Sequence, residues 1–436
     1  MEKKHYLCTC KRDNNEYLRI TNLIFSNMNV KQIYQIINSV SSEVLGKTDI
    51  VQEDLTGIVD LGKEVFNQSA VDNYVKSLVN HIGKVIFVNR PYAGKVPSVL
   101  MDAWEFGSVL EKISADVPEA EENDTWDLQD KKSYDQDVFH KPTVTAKFFN
   151  SKVTFEVPVS ITERQVKESF SNAAQLNGFI SMIYAAVEKS MTIKADALIM
   201  RTINNMIAET VLADAVAFGG TAGNLTNADL SSASTARCVN LLKLYNDKYY
   251  PATPGTGDGE PTPNPDALTA AKAITDPDFI RFASYVMGTY ADRLQSISTV
   301  FNVGGKERFT PKDMLHVVLL SDFAKAAQTY LYSDTFNRGD VLLPQAETVP
   351  FWQGSGKNYD FASTGHIKVK ESGGKDVEIT GVLGVMFDRD AVGVCNLDRR
   401  VTTNYNAKAE FFNNYYKFDA GYFNDTNENF VVFFIK

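Results

Sequence analysis

The most informative stretch of this sequence is residues 110–157, LEKISADVPEAEENDTWDLQDKKSYDQDVFHKPTVTAKFFNSKVTFEV. Apolar and polar residues alternate at both of its ends, which is typical of strands with one buried face. The middle, Asp116 to Asp137, holds nine acids and two lysines. Because this segment is too charged for a core and has a strand on each side, we predict that it forms the tip of a long projecting loop.

Two local signals follow the loop. The pair Asn150-Ser151 separates two alternating stretches, and we interpret it as the turn of a hairpin between them. Ser160 and Glu163 have the spacing of a capping box, with the serine at the cap and the glutamate three residues later. The capping box predicts that a helix begins there.

A long helix is predicted after the cap. Apolar residues recur every three or four positions from Val166 to Val187 and again from Ile193 to Val211, as on one face of a helix. If the two stretches are continuous, the helix spans about 50 residues, or about 75 Å. Gly219-Gly220 is the predicted end of the helical run.

The rest of the chain contains other periodic segments. Residues 1–90 hold helical spacing at 28–40 and 71–82 and a short strand at 84–88, which together predict an arm that carries helices. In residues 221–381 the pattern predicts the following elements: helices near Thr235–Tyr245 and Asp278–Ile297, a buried strand at Leu315–Leu320, and a hairpin with its turn at Ser372–Lys375. Residues 382–436 are rich in predicted strands.

Composition and charge exclude several classes of protein. Fifty-four acids against 44 bases give a net charge of −10, which disfavours a protein that coats DNA generally. The longest apolar run, Phe430 to Ile435, is far shorter than the roughly 20 residues of a membrane helix. The chain lacks a secretory signal at its start, and its four cysteines are scattered. We therefore expect a soluble protein made in a reducing compartment.

No pattern in the sequence predicts a reaction centre. Gly255, Gly257 and Gly259 lie among prolines and open no helix, so they do not form a nucleotide loop. His5, Cys8 and Cys10 lack a fourth metal ligand. Asp388-Arg389-Asp390 begins like a calcium loop but lacks the later acids, and His316 lies in an apolar strand, where a core histidine is expected. We expect no catalytic residue, metal or cofactor, and a structural role.

The order of these parts resembles the major capsid protein of tailed bacteriophages, which has the Hong Kong 97-like fold. Local sequence carries the same resemblance: 71–83 is similar to the stretch before the extended loop in short-tailed phages. Residues 382–394 resemble the late strand pair of the family's A-domain, and 405–416 resemble its closing P-domain strands.

The resemblance implies an α+β fold with five sections. They are an N-terminal arm (1–90), an extended E-loop region (91–157), a P-domain with its spine helix (158–220), an inserted A-domain (221–381), and late A-domain strands with the return to the P-domain (382–436). It also implies a non-enzymatic protein that self-assembles into hexamers and pentamers of an icosahedral shell. The implied partners are copies of itself, a separate scaffold protein, a portal protein and enclosed double-stranded DNA without sequence-specific binding. The implied location is the virion, after assembly in the host cytoplasm.

The loop tip is the expected subunit interface. Under this hypothesis a basic patch on the next subunit meets Glu119, Glu121, Glu122 and Asp124, and Trp126 supplies an apolar anchor. Lys131 and Lys132 also lie in the tip. Some family members join subunits covalently through a lysine and an asparagine, for which Asn404, Asn406 and Asn413 are the candidates, but no motif identifies a pair, so we expect non-covalent contacts.

Other functions compete with the capsid interpretation. An encapsulin-like compartment shares the fold but encloses an enzyme. A surface-array or adhesin protein would explain the aromatic content but would need an export signal. An unrecognised enzyme would need a buried polar cluster that the sequence does not reveal.

Overall fold

The structure is a computed structural model. It describes the following residues: 30–46, 60–61, 63, 65, 73–74, 77, 96, 99–101, 110–115, 120, 122, 124–134, 137, 139, 141, 143–162, 164, 173–219, 233–253, 262–332, 346–354, 360–370 and 376–436. The chain divides into two compact units. The first comprises Met1–Tyr92, Thr154–Ile193 and Asp398–Phe418. The second comprises Ala93–Val153, Lys194–Leu397 and Asp419–Lys436.

Helices and strands are both present, as the α+β prediction requires. The helices are α1 (Val30–Leu45), α2 (Ala173–Ala213), α3 (Leu241–Tyr249), α4 (Ala270–Ala273), α5 (Pro277–Arg293), α6 (Ser321–Tyr332) and α7 (Phe361–Thr364). The strands are β1 (Leu100–Met101), β2 (Leu110–Ala115), β3 (Val144–Phe149), β4 (Lys152–Thr162), β5 (Cys238–Asn240), β6 (Leu315–Leu320), β7 (Glu347–Val349), β8 (Ile367–Lys370), β9 (Asp376–Ile379), β10 (Val382–Asp388), β11 (Val392–Asn406), β12 (Phe411–Asn424) and β13 (Phe430–Phe434).

Helix α2 confirms the prediction of one long helix. It has 41 residues, which corresponds to about 60 Å, and a 3₁₀ turn after it ends at Gly219 with φ of 79°. The predicted capping box is wrong, because Ser160 lies inside strand β4 and its hydroxyl donates to Asn413 Oδ1 at 2.6 Å. The serine is therefore part of a sheet, and the helix does not begin at it.

The first unit combines helix α1 with parts of three strands. Ile37 and Val40 of α1 are buried, in agreement with the helical spacing that predicted it. Strand β12 lies between β11 and β4, and its side chains alternate between buried and half-buried. The Phe155 and Phe418 rings lie 5.0 Å apart between β4 and β12. The predicted strand at 84–88 lies outside the described residues.

A five-stranded sheet forms the centre of the second unit, in the order β5-β13-β10-β6-β7. Strand β10 pairs antiparallel with both β13 and β6, whereas β5 and β7 add parallel strands at the two edges. Every residue of β10 and β13 is buried. Such continuous burial explains why these segments are apolar runs rather than alternating ones.

Helices α3, α5 and α6 pack on this sheet in one apolar core. Helix α5 begins where the Asp276 side chain accepts a hydrogen bond from Phe279 N at 2.9 Å, with Pro277 in the first turn. The predicted helix at Thr235–Tyr245 is wrong in its first half, because Cys238–Asn240 is a strand. Asn240 then caps α3 by accepting from Lys243 N at 3.1 Å.

The hairpin predicted around Asn150-Ser151 is also wrong. Strand β3 pairs with β2, while β4 belongs to a different sheet. A two-residue hairpin turn needs positive φ angles, and neither Asn150 nor Ser151 has one. The chain therefore passes from one sheet to the next at this point.

Other predicted elements are confirmed. Strand β6 has the predicted bounds, α5 covers most of the helix predicted at Asp278–Ile297, and β8 pairs antiparallel with β9. The residues of the turn between β8 and β9 lie outside the described part of the chain.

Gly381 provides a test of the packing of the central sheet. Its φ is +78°, and a Cβ there would lie 2.1 Å from the Ile435 carbonyl oxygen. We expect Gly381→Ala to lower the free energy of unfolding of the free subunit by about 3 kcal/mol, measured by urea titration.

Gly305→Ala is the matched control for Gly381→Ala. Gly305 also has a positive φ, of +63°, but open space where its Cβ would be. This variant should lose only about 1 kcal/mol. Equal losses in the two variants would contradict the role assigned to the contact with Ile435.

Candidate subunit interface

Strands β2 and β3 form an antiparallel ribbon of two strands at the base of the acidic loop. The loop is therefore bounded by strands on both sides, as predicted. Because side chains alternate along a strand, the ribbon has two faces. Both strands alternate between exposed and half-buried residues, which shows that one face is turned towards the body of the second unit and the other towards solvent.

The solvent-facing side of the ribbon, which we call the outer face, is mainly apolar. Ile113 is 65% exposed, Phe148 63% and Val144 57%. Two exposed alanines, Ala115 and Ala146, lie among them. Large apolar side chains grouped in this way are uncommon on proteins that act as single subunits.

The inner face of the ribbon packs on its own subunit. The Phe149 ring lies 4.9 Å from the ring of Phe423. Just after β3, the Ser151 carbonyl accepts a hydrogen bond from Tyr422 N at 3.1 Å. These contacts hold the end of the ribbon against strand β12.

Two lysines on the inner face share one buried aspartate. Lys112 and Lys147 are directly opposite each other in the ribbon. Asp425 Oδ2 lies 2.9 Å from Lys112 Nζ, and Asp425 Oδ1 lies 2.8 Å from Lys147 Nζ. The Asp425 side chain is only 2% exposed. We call these three residues the lysine clamp.

Glu428 extends the lysine clamp into a larger charged cluster. Its Oε1 atom lies 2.9 Å from Lys112 Nζ and 3.3 Å from Arg308 Nε. Lys112 also donates to the carbonyl of Asp390 at 3.2 Å. Lys112 therefore has three acceptors around a largely buried ammonium group, which is the pairing that a buried charge requires.

The electrostatics of the clamp follow from this geometry. Burial opposes ionisation of Asp425, but the hydrogen bonds from Lys147 and Lys112 outweigh it and hold the pKa of this carboxyl below its usual value. Burial also acts to lower the pKa of Lys112, yet its bonds to Glu428 and Asp425 raise the pKa overall. Asp425 and Lys112 are therefore both charged at neutral pH.

A second carboxyl, Asp388, ties neighbouring loops together. Its Oδ2 accepts from the Thr310 hydroxyl at 2.8 Å, and Thr310 in turn accepts from Asn429 Nδ2 at 3.2 Å. Burial raises the pKa of Asp388. Asp388 also accepts from Asp390 N at 2.9 Å, so the segment that resembled the start of a calcium loop is hydrogen-bonded as the turn between β10 and β11.

The predicted interface residues of the loop tip are partly described. Glu119 and Glu121 lie outside the described residues. Glu122 is exposed, and Asp124 begins a 3₁₀ turn that ends at Trp126. The Trp126 side chain is 99% exposed, so it is free to contact another molecule.

The two lysines of the tip lie at a local turn. Lys131 has a φ of 69°, and both Lys131 and Lys132 are exposed. Lys132 Nζ lies 5.1 Å from the ring centre of Tyr134, whose hydroxyl accepts from Gln129 N at 3.0 Å. These contacts order the described part of the tip without involving its acids.

The other candidate residues have local structural contacts. Asn406 accepts from Lys408 N at 3.1 Å in the turn between β11 and β12, and Asn413 accepts from Ser160. Asn404 is exposed. The His316 ring stacks on Phe387 at 5.7 Å, and burial lowers the pKa of His316, in keeping with the prediction of a core histidine.

Sequence reasoning missed the lysine clamp. Lys112 and Lys147 were visible as polar residues of alternating strands, but neither was singled out as a candidate site residue. Asp425 is 278 residues from Lys147, and no spacing rule connects residues so distant. The one usable signal was a lysine on each of the two strands that flank the same loop.

In the described part of the chain, no group of three His, Cys, Asp or Glu side chains is arranged to hold a metal ion. Within those same residues, no helix has the length and apolar character needed to cross a membrane.

Comparison with known proteins identifies the family. The model of the Phi29-like phage major capsid protein family matches residues 34–434. The chain belongs to this family. It is therefore a phage major capsid protein, a component of the virion that assembles with copies of itself into a shell. No curated protein sequence matches the chain.

Solved structures similar to this capsid protein include phage capsids. A capsid structure of Staphylococcus phage Andhra is 8% identical, with a TM-score of 0.43 over 78% of this chain and 83% of that chain. A structure from bacteriophage P68, described by its head fiber and inner core protein gp22, is 9% identical, with a TM-score of 0.45 over 80% and 86%. At these values the likeness adds nothing to the family match, on which the identification depends.

The family match confirms the prediction of a phage major capsid protein, and the mixed helix and sheet architecture agrees with the predicted α+β class. They do not favour a compartment shell or an adhesin. The five section boundaries and the interface residues of the loop tip stay predictions.

The lowered pKa of Asp425 gives a prediction about acid. Asp425 stabilises the fold when ionised, so its contribution is present above its unfolded value of 3.8 and is lost as pH falls through the lower folded pKa. We expect Asp425→Asn to cost the free subunit about 3 kcal/mol of unfolding free energy at pH 7. In urea titrations at several pH values, this difference should shrink below pH 3.8. A difference that stays constant with pH would contradict the assignment.

Proposed function

We propose that this capsid protein assembles into the hexamers and pentamers of an icosahedral shell, and that the ribbon and its acidic loop grip the neighbouring subunit. The single observation that supports this most strongly is the outer face of the ribbon. It presents Ile113, Val144 and Phe148 to solvent in a chain whose family builds shells from copies of itself.

A ribbon of only two strands has little stability of its own. Its inner face is supported by its own subunit through Phe149 and the lysine clamp. The outer face has no such support while its apolar side chains remain in water. Packing against another copy would bury these side chains, and burial of apolar area is the main favourable term in association.

The loop tip adds charge and an anchor to this surface. The segment from Asp116 to Asp137 carries seven of the ten net negative charges of the chain, counting nine acids and two lysines. Such a concentration of charge selects a basic patch on the partner and sets the orientation of docking. Trp126 is the type of residue that most often dominates binding energy when buried at an interface.

The proposed role extends to the partners and place of assembly. A shell of this kind encloses double-stranded DNA, and a strongly acidic subunit would let DNA slide because it offers few cations to the phosphates. We propose that a separate scaffold protein and a portal protein take part, that assembly takes place in the host cytoplasm, and that the subunit catalyses no reaction.

The outer face can be tested with the double variant Ile113→Ser, Phe148→Ser. Both side chains are exposed, so the free subunit should keep its helical circular dichroism. The fraction that sediments as shells should fall at least about tenfold, because the apolar contact is lost. Electron microscopy and sedimentation of the protein co-expressed with candidate scaffold proteins would measure this.

Tyr285→Ser is the matched control for the outer-face variant. Tyr285 is a large aromatic side chain of similar exposure, and it lies on helix α5, which is not part of the ribbon. The control should assemble like the wild type. If the outer-face variant also assembles like the wild type, the proposed interface is wrong.

The loop tip makes a separate prediction. Backbone amides of residues 124–134 should exchange with deuterium more slowly in assembled shells than in free subunits, because docking covers them. Trp126→Ala should weaken assembly and abolish most of this protection. Equal exchange in free subunits and shells would show that the tip does not dock.

A further inference from the structure

The pairing of strands β2 and β3 places two like charges side by side. Lys112 and Lys147 are register partners in an antiparallel ribbon and lie on the same face. Like charges directly opposite each other destabilise a strand pair. This arrangement therefore requires an anion between the two ammonium groups.

Asp425 supplies that anion, and its two oxygens are divided between the lysines. One oxygen lies 2.9 Å from Lys112 Nζ and the other 2.8 Å from Lys147 Nζ. Lys147 also donates to the Thr426 hydroxyl at 3.3 Å. Both strands of the ribbon are thus bonded to the same short loop, residues 425–429, between β12 and β13.

The 425–429 loop is itself held firmly by the second unit. Asp425 N donates to the Ala391 carbonyl at 2.7 Å, and the Thr426 carbonyl accepts from Gly304 N at 2.8 Å. At the other end of the loop, the Asn429 carbonyl accepts from Asp388 N at 3.0 Å. Close packing adds to these bonds, since a Cβ on Gly304 would lie 2.0 Å from Asn427 Oδ1. The loop is a fixed support, not a mobile one.

From this geometry we propose that Asp425 is a positioning residue for assembly: by bridging Lys112 and Lys147, it sets the direction in which the ribbon leaves its subunit. The clamp acts at one face of the ribbon so that the outer face is presented to the next copy. This inference rests on the proposed role of the ribbon in docking, but it concerns a different face and different residues.

The alternative is that Asp425 only stabilises the fold. Two properties separate the alternatives. A positioning residue should control the protection of ribbon amides even in a folded subunit. The defect of Asp425→Asn should also be relieved when Lys147, which loses its carboxylate partner in that variant, is removed as well. A purely structural residue would show neither effect separately from the unfolding of the whole subunit.

The experiment compares three variants of the full chain. Asp425→Asn leaves the two lysines facing each other. Asp425→Asn combined with Lys147→Met removes the repulsion because only one of the two ammonium groups remains. Lys112 keeps its bond to Glu428 in this variant. Asp247→Asn is the charge-matched control, since it removes one carboxylate from an exposed pair with Lys243. Hydrogen–deuterium exchange of free subunits and sedimentation of assembled shells are measured for each.

For Asp425→Asn we expect ribbon amides of β2 and β3 to lose at least about tenfold more protection than the core amides of β10, each relative to the wild type. Shell formation should fall by a similar factor. The double variant should recover part of the protection and part of the assembly, and Asp247→Asn should match the wild type.

Three results would overturn the proposal: unchanged ribbon exchange in Asp425→Asn, normal assembly despite fast ribbon exchange, or no recovery in the double variant. Should Asp425→Asn fail to fold, Lys147→Met alone provides the test, because it keeps the Asp425–Lys112 pair. It should increase exchange in β3 and reduce assembly, and wild-type behaviour in both would sink the idea. If the outer-face variant Ile113→Ser, Phe148→Ser assembles like the wild type, the docking role of the ribbon is wrong. The effect of Asp425→Asn on ribbon exchange in free subunits would still stand.

Discussion

A two-stranded ribbon needs contacts with the rest of its subunit to keep a fixed orientation. In this capsid protein a single buried carboxylate, that of Asp425, provides them. Asp425 lies between two lysines that would otherwise repel each other across β2 and β3. The arrangement is stable only while the carboxylate of Asp425 stays ionised between them. The orientation of the ribbon thus depends on a contact between residues far apart in sequence.

The support for this carboxylate comes from the central sheet of the second unit. Strands β10 and β13 are buried along their whole length, and the turns at their ends bring Asp388, Asn429 and the 425–429 loop together. The apolar core therefore does more than stabilise the subunit. The core fixes the position of the polar 425–429 loop, so that Asp425 lies within bonding distance of Lys112 and Lys147. Packing in the core therefore determines how the outer face of the ribbon is oriented.

Part of this could be predicted from the sequence. The apolar runs at 315–320 and 382–388 and the long helical periodicity required only local pattern, because burial on both faces of a strand, or along a helix, leaves a direct mark on composition. The acidic loop was also recognisable, since nine acids in so short a segment exclude a core position.

The rest of the fold and the lysine clamp could not be predicted, because they depend on contacts between segments that no local sequence pattern connects. Strands β3 and β4 both alternate, so the pattern could not show that β3 pairs with the strand before the loop. Ser160 and Glu163 match a capping box in spacing alone, and only the neighbouring Asn413 shows that the serine belongs to a sheet. The lysine clamp could not be predicted because Asp425 lies 278 residues from Lys147 in the sequence.

The position of β13 has a consequence for the timing of subunit synthesis. This strand lies second in its sheet although every other strand of that sheet precedes it in the chain, and β5 has no other neighbour there. Until residues 430–434 have been synthesised, no strand can fill the position between β5 and β10. A chain interrupted before residue 430 therefore lacks an inner strand of this sheet.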